Sequence, residues 1–299
     1  MSALIGQTTR QFSTPYITVG EYKQAPTAVD YSNLVVDSAD PMVQDAELSN
    51  VISRASSWVD TYCNQVLGAT QETEQQRARL RSDGLIIVHP RYFPVVTVSD
   101  FWYGLSPNQL VQFPDPSQGW LEDQSIVIPY SSANLSYSTQ GPLQFGLPAV
   151  PRQQVYVRYT YVSGFPSTVL AGSVAANGST ITVLAADGIT AGARMTIYDG
   201  SSTEEVTVAS SYVYGSTTVP LTAGVGFAHA AGVSVSALPP AVKQATILAT
   251  SAFIKSRGDT SLTMDVLNTA TNVNTGVSKS IASDWSMARE LLAPFRRIR

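Results

Sequence analysis

The stretch DPMVQDAELSNVISRASSWVDTYCNQVLG, residues 40–68, decides how the rest of the chain is read. Asp40 is a residue type whose carboxylate caps the free amides of a helix start, and Pro41 is tolerated in a first turn, where its missing N–H would be unpaired anyway. Leu48, Val51, Ile52, Ala55, Trp58, Val59, Tyr62 and Val66 then recur at three- and four-residue steps. Ser49, Asn50, Ser53, Arg54, Asp60, Thr61 and Asn64 fill the other face. The spacing predicts an amphipathic helix from Pro41 to Leu67, stopped at Gly68. Its apolar stripe must be covered by other elements of the chain.

Upstream, residues 1–16 are polar and without period, and predict an extended arm that stays loose until something captures it. Downstream, the charged run Glu72 to Arg81 predicts a second, shorter helical piece before Asp83-Gly84 turns the chain. The texture then changes to β. Leu85 to Val88, Val95 to Tyr103, Ser125 to Pro129 and Gln154 to Val162 read as short strands separated by Pro, Gly, Asn and Asp. In the last of them Val155, Val157, Tyr159 and Tyr161 alternate with Gln154, Tyr156, Arg158 and Thr160, so its two faces differ in burial.

From Gly164 to Leu238 the composition shifts to Ser, Thr, Ala, Gly and Val, with Arg194 the only basic residue against Asp187, Asp199, Glu204 and Glu205. The segment carries an internal echo. Gly178-Ser179-Thr180 runs through Leu184 to Ala191-Gly192, and Gly215-Ser216-Thr217 runs through Leu221 to Ala231-Gly232. Two similar strand-loop-strand halves predict a separate β domain over 164–237, a small barrel or roll. Pro239-Pro240 opens a second helix, Ala241 to about Arg257, with Val242, Ala245, Leu248, Ala249, Ala252 and Phe253 on one side and Gly258 at its end. Thr260 to Ser283, rich in Thr, Asn and Ser, reads as a long loop. A last helix, Asp284 to Leu292, is expected to be capped by Ser283 or Asp284 and stopped by Pro294. The fold class is therefore α+β: a helical domain with a small antiparallel sheet (1–163 and 238–299), and an inserted all-β domain.

Composition bounds the function. Asp, Glu, Lys and Arg make up 13% of the 299 residues, about half the usual share of roughly 25%. Small polar residues take their place, which suits surfaces that meet other subunits. The net charge of -4 and pI near 5.2 argue against a globally basic nucleic-acid-binding surface, so any DNA contact must be local or repulsive. Cys63 is the only cysteine, which excludes an intrachain disulfide and a cysteine-based zinc site. The start Met1 to Gly6 lacks the basic and apolar runs of a secretory signal. The longest apolar stretch, Ala241 to Ile254, contains Lys243 and Gln244 and is too short for a membrane span. A soluble protein made in the cytoplasm is expected.

Three segments, in order, resemble the head-tail adaptor (connector) family of long-tailed double-stranded DNA bacteriophages. Ala55-Ser56-Ser57-Trp58-Val59-Asp60-Thr61-Tyr62-Cys63 is similar to that family's helix ending in an aromatic-Cys pair. Arg91-Tyr92-Phe93-Pro94-Val95-Val96-Thr97-Val98 looks like its proline-led first strand. Val157 to Pro166 with Leu238 to Ala245 resembles a strand and Gly-aromatic turn leading into a Pro-started helix. In the family these last two pieces are nearly adjacent, and here the β segment lies between them. The resemblance implies a structural virion protein at the neck, assembled in the host cytoplasm. It would form a ring, twelvefold like the portal, through whose lumen genomic DNA passes without sequence-specific binding.

Implied partners are the portal protein and a stopper or tail terminator; the inserted domain, which lies outside the resemblance, reads as an outward brace touching the major capsid protein at the vertex or a neighbouring subunit. The family's last segment is short, helical and basic and docks on the portal, which makes 293–299 the matching tail and Phe295, Arg296, Arg297, Ile298 and Arg299 the candidate portal-docking residues. Apolar anchors interleaved with guanidiniums suit such a role. A neighbouring neck component such as a tail-completion protein, and a virion adhesion or carbohydrate-binding module, are the alternatives. Against the latter, the aromatics of the insert are chiefly Tyr198, Tyr212, Tyr214 and Phe227, with no Trp to stack on a sugar.

No enzyme, cofactor or metal is expected. His89 and His229 are the only histidines, and no Gly-x-Ser-x-Gly, His-Glu-x-x-His or Gly-x-x-x-x-Gly-Lys motif occurs. Gly224-Val225-Gly226-Phe227-Ala228-His229 starts like a dinucleotide loop but reads as a β-turn, lacking the third glycine. Cys63 reads as core packing. Asp199, Glu204 and Glu205 around Gly200-Ser201-Ser202 read as a solvated turn rather than a calcium loop.

Overall fold

The computed structural model describes residues 15–35, 38–81, 84–113, 119–129, 154–256 and 276–297. Among the described residues the fold is α+β, with four α-helices and several small antiparallel sheets. Contacts divide it into two compact units, one formed by Ala69–Gly164 and the other by the described residues of Ser13–Gly68 and Phe165–Arg299.

The second unit holds the helices: α1 (Val19–Gln24), α2 (Pro41–Cys63), α3 (Pro240–Ser256) and α4 (Gly276–Leu292). Asp40 caps α2 by accepting from the Met42 amide, as its residue type predicts. The helix ends before Gly68. Asn64, with φ 55°, takes the left-handed C-cap position that asparagine tolerates. Val59, Cys63 and Leu67 of the α2 region pack with Val242 and Ala245 of α3 and Ala288 and Leu292 of α4. Trp58 and Trp285 meet at 4.5 Å between ring centroids, and Phe253 stands edge-on to Trp285.

Two expectations fail here. α4 begins at Gly276, inside the expected loop, so Ser283 and Asp284 lie within the helix instead of capping it. Ile281, Trp285, Ala288 and Leu292 supply its buried stripe, and the Asp284 carboxylate is bound by Lys255 Nζ at 2.6 Å. The described part of the expected loose arm is also fixed. Tyr16 is fully buried, its hydroxyl donates to Asp60, and it accepts from the amides of Leu67 and Gly68. Residues 1–14 and the segment 257–275 lie outside the described residues.

The first unit contains two sheets. β1 (Thr70–Arg79), β7 (Gln154–Ser163), β3 (Val95–Ser106) and β4 (Gln109–Gln112) form one, in the order β1-β7-β3-β4. β2 (Leu85–Val88), β6 (Ser125–Pro129) and β5 (Trp120–Glu122) form the other. The expected helix at Glu72 to Arg81 is β1, paired with β7 in unbroken antiparallel register from Thr70↔Ser163 to Arg79↔Gln154. Its Glu, Gln and Arg residues favour helix locally, but tertiary partners override that preference. The Glu74 carboxylate accepts from the hydroxyls of Tyr159 (2.9 Å) and Tyr161 (2.6 Å) and from the Arg91 amide. Burial raises both phenol pKa values, and the neighbouring carboxylate raises them further, so both stay protonated donors.

The β segment of the second unit comprises β8 (Ser167–Val169), β9 (Thr180–Thr182), β10 (Arg194–Tyr198), β11 (Glu204–Thr207), β12 (Thr218–Pro220) and β13 (Ser234–Ser236). The echo in its sequence is a duplication in space. β9 of the first half pairs antiparallel with β12 of the second, and β10 with β13. The four-stranded order β11-β10-β13-β8 is unchanged when β8 is exchanged with β11 and β10 with β13. Matching hydrogen bonds repeat: Gly232 N–H to Leu170 O (2.8 Å) answers Gly192 N–H to Val208 O (3.0 Å). Gly192 and Gly232, at φ 78° and 85°, make the same left-handed turn in each half. Each half gives a strand to the other, so neither sheet is completed by one half alone.

One buried ion pair joins α1, α3 and the β segment. Lys243 Nζ lies 2.5 Å from Glu21 Oε1, donates to Ser234 Oγ at 3.1 Å and sits 3.9 Å from the centre of the Tyr198 ring. Glu21 also accepts from the Thr18 amide as part of a capping box. Burial lowers the Lys243 pKa, with Glu21 opposing, so the charge is held at a net desolvation cost. Lys243→Ala should therefore destabilise the chain by about 3 kcal/mol by stranding the Glu21 charge, whereas Glu21→Gln/Lys243→Met should recover most of that loss. Urea unfolding of the three proteins checks this, and equal losses in the single and double variants would contradict it.

Candidate functional site

The C-terminal segment was the strongest candidate in the sequence, and the structure describes it as far as Arg297. After α4 a 3-10 turn, Ala293–Phe295, brings the chain back to the end of α2. A helix ends with carbonyls that lack intrahelical partners. Here the Arg297 amide donates to Cys63 O at 2.9 Å, and Gln65 Nε2 donates to Phe295 O at 3.1 Å. Phe295 packs against the cluster of Val59, Cys63 and Leu292, and the Arg296 guanidinium lies 5.5 Å from the centre of the Tyr62 ring. Two arginines thus stand at the C-terminal end of α2, where the helix dipole favours cations. Phe295 is used within the chain, Arg296 is exposed, and Ile298 and Arg299 lie outside the described residues.

Cys63 is fully buried, and burial pushes its thiol pKa up to about 12, with the Asp60 charge adding to the shift. A thiol held protonated is no nucleophile at neutral pH. His89 Nδ1 is 2.8 Å from Ser125 Oγ, and no third described residue extends that pair into a relay. Among the described residues no cluster of three or more His, Cys, Asp or Glu side chains is arranged to hold a metal ion, and no helix is long and apolar enough to cross a membrane.

The acidic turn at 199–205 is solvated at Gly200, Ser201 and Glu205, but Asp199 and Glu204 are engaged by a buried side chain. Glu204 and Glu205 are neighbours on β11 and so point to opposite faces. Glu205 faces outward beside Arg194, 3.8 Å away, while Glu204 turns toward His229. The His229 side chain is fully buried, with Nδ1 2.9 Å from Asp199 Oδ2 and Nε2 2.7 Å from Glu204 Oε1. Glu204 also accepts from the amides of Gly226 (2.7 Å) and Phe227 (3.0 Å), so the glycine-containing stretch before His229 wraps this carboxylate and no nucleotide. With a carboxylate at each ring nitrogen, only the imidazolium offers a donor to both.

Sequence reading found all three residues but not their convergence, because Asp199 and His229 are 30 positions apart. A signal existed in the echo. The residue three before the turn glycine is the buried Ile189 in the first half and His229 in the second. A polar residue at a duplicated core position requires a partner.

Comparison of the chain with family models, curated proteins and solved structures returned no match.

Burial alone would lower the His229 pKa, but its hydrogen bonds to Asp199 and Glu204 outweigh burial and raise it above the ordinary 6.5. For Glu204, burial pulls upward while the Gly226 amide and His229 pull harder, leaving its pKa below 4.5. The histidine's contribution to stability is thus full below pH 6.5 and lost as pH rises through its folded value. The glutamate's is full above pH 4.5 and lost as pH falls through its folded value. The full chain should melt at a higher temperature near ~pH 6 than near ~pH 9, and His229→Gln should lower stability by roughly 2 kcal/mol at ~pH 6 while flattening that dependence. An unchanged pH profile in the variant would refute the assignment.

Proposed function

We propose that this chain is a structural virion protein, a head-to-tail connector of a bacteriophage. In this reading copies of the chain form a ring beneath the portal, joining capsid to tail around the path of the genome. The observation that carries it concerns the motif split by the β segment. Phe165-Pro166 and Ala237-Leu238, more than seventy residues apart, are neighbours in space. The Ala237 amide donates to Pro166 O at 2.9 Å, and Phe165 and Leu238 share one apolar cluster with α2, α3 and α4. Removing the β segment would leave a strand, a Gly-aromatic turn and a Pro-started helix in direct succession, which is the order the adaptor resemblance requires.

The rest of the reading follows from that base. The inserted β domain, a small roll completed by strand exchange between its halves, serves as an outward brace toward the capsid or a neighbouring subunit. Closed cyclic assembly makes the contact heterologous, one face of each subunit meeting a different face of the next. The tail-docking role falls to Arg296 and the residues after it, since Phe295 is held by α2 and α4.

Mass photometry of the purified chain with and without the portal ring of the same particle tests the reading. A portal-dependent mass step of about a dozen subunits is expected on the ring-sized interfaces of obligate assemblies. Arg296→Glu, which gives up only the guanidinium contact with the Tyr62 ring, should weaken that step, whereas deletion of Phe295 to Arg299 should also lower the melting temperature. A chain that stays monomeric and ignores the portal would refute the connector.

A further inference from the structure

The face of the four-stranded sheet opposite its core carries a pattern the connector reading does not use. Side chains alternate across a strand, so the register assigns Arg77, Arg79, Tyr156, Arg158 and Trp102 to one face, opposite the core residues Val155, Val157, Tyr159 and Tyr161. Arg77 pairs with Tyr156 across the strands, its guanidinium 5.2 Å from the ring centre; Arg158 pairs with Trp102 at 4.9 Å. None of the three arginines has an ion pair among the described residues. Asp100, also on this face, accepts from Gln112 Nε2 at 3.3 Å, while the Thr73 and Thr160 hydroxyls bond each other at 3.0 Å and Gln75 Nε2 donates to Pro107 O at 3.4 Å. A chain with a net charge of -4 thus gathers three guanidiniums on one face of a sheet.

We propose that this sheet face is a contact surface for the sugar-phosphate backbone of duplex DNA. The inference rests on the connector reading for the source of that DNA. Guanidiniums stacked on rings are held with their planar N–H edges free, the geometry that matches phosphate oxygens. Arg77 and Arg79, two residues apart on one strand, stand about 6.8 Å apart and so address successive phosphates. A single strand is the poorer fit, because single-strand binding relies on bare aromatic faces for base stacking, and here those faces are covered by arginine. Three charges give a contact that releases as well as binds, consistent with DNA that must pass.

The test is fluorescence anisotropy of the full chain with a labelled DNA duplex of ~30 base pairs and with a single strand of the same length. Duplex binding at low salt should weaken with a log–log salt slope of about -2.7, for three phosphate contacts. Arg77→Glu/Arg158→Glu should weaken it by at least ~10-fold, while Arg194→Glu, on the β segment, should leave it unchanged. Arg77→Lys/Arg158→Lys, which keeps the charges, should retain most of the affinity and an unchanged melting temperature. Wild-type binding by the glutamate variant, or tighter binding of the single strand, would overturn the proposal. So would a change in oligomer mass on Arg77→Glu/Arg158→Glu without any DNA binding, since the face would then meet an acidic surface of a second copy. The two readings fail separately: a wild-type chain that joins the portal yet ignores duplex DNA sinks only this one.

Discussion

The Lys243–Glu21 pair is the constraint on which the second unit depends. Lys243 stands in the first turn of α3, where the helix dipole disfavours a cation, and it is buried as well. Both costs demand a carboxylate, and the one that meets them is in α1, over two hundred residues earlier. That carboxylate is itself oriented by the Thr18 capping box, and the ammonium is shared with Ser234 and Tyr198 of the β segment. A charge that costs energy unless three separate elements converge on it acts as an address, not as glue.

The β segment shows the same logic at smaller scale. Two similar halves exchange strands, and both supply apolar side chains to one core. His229 breaks that symmetry. Where the first half places Ile189, the second places an imidazolium between Asp199 and Glu204, so the two halves are chemically distinct despite their common plan. A duplicated segment needs such a marker, because interchangeable halves would permit interchangeable pairings.

Under the connector proposal the two units would carry different parts of the work. The helices of the second unit, closed off by Tyr16 at one end of the chain and Phe295 to Arg297 at the other, give a framework on which the insertion is seated. The first unit presents a sheet with a tyrosine-lined core whose hydroxyls end on Glu74 and a charged aromatic face outside it. If both proposals hold, assembly and genome contact fall to different surfaces.

Sequence alone determined the local features: the stripe of α2 and its Asp40 cap, the strands at Leu85–Val88 and Ser125–Pro129, the proline start of α3 and the echo in the β segment. These follow from periodicity, capping chemistry and turn residues, all of which act within a few positions. Tertiary structure decided what depended on distant partners. Thr70–Arg79 became a strand because β7 offered it a full ladder and two tyrosine hydroxyls. α4 began before its apparent cap because Lys255 claimed the Asp284 carboxylate. The His229 site joined residues that are harmless apart. Local sequence records what a segment prefers; which preference survives is settled by the buried charges and hydroxyls that must be satisfied when the chain closes on itself.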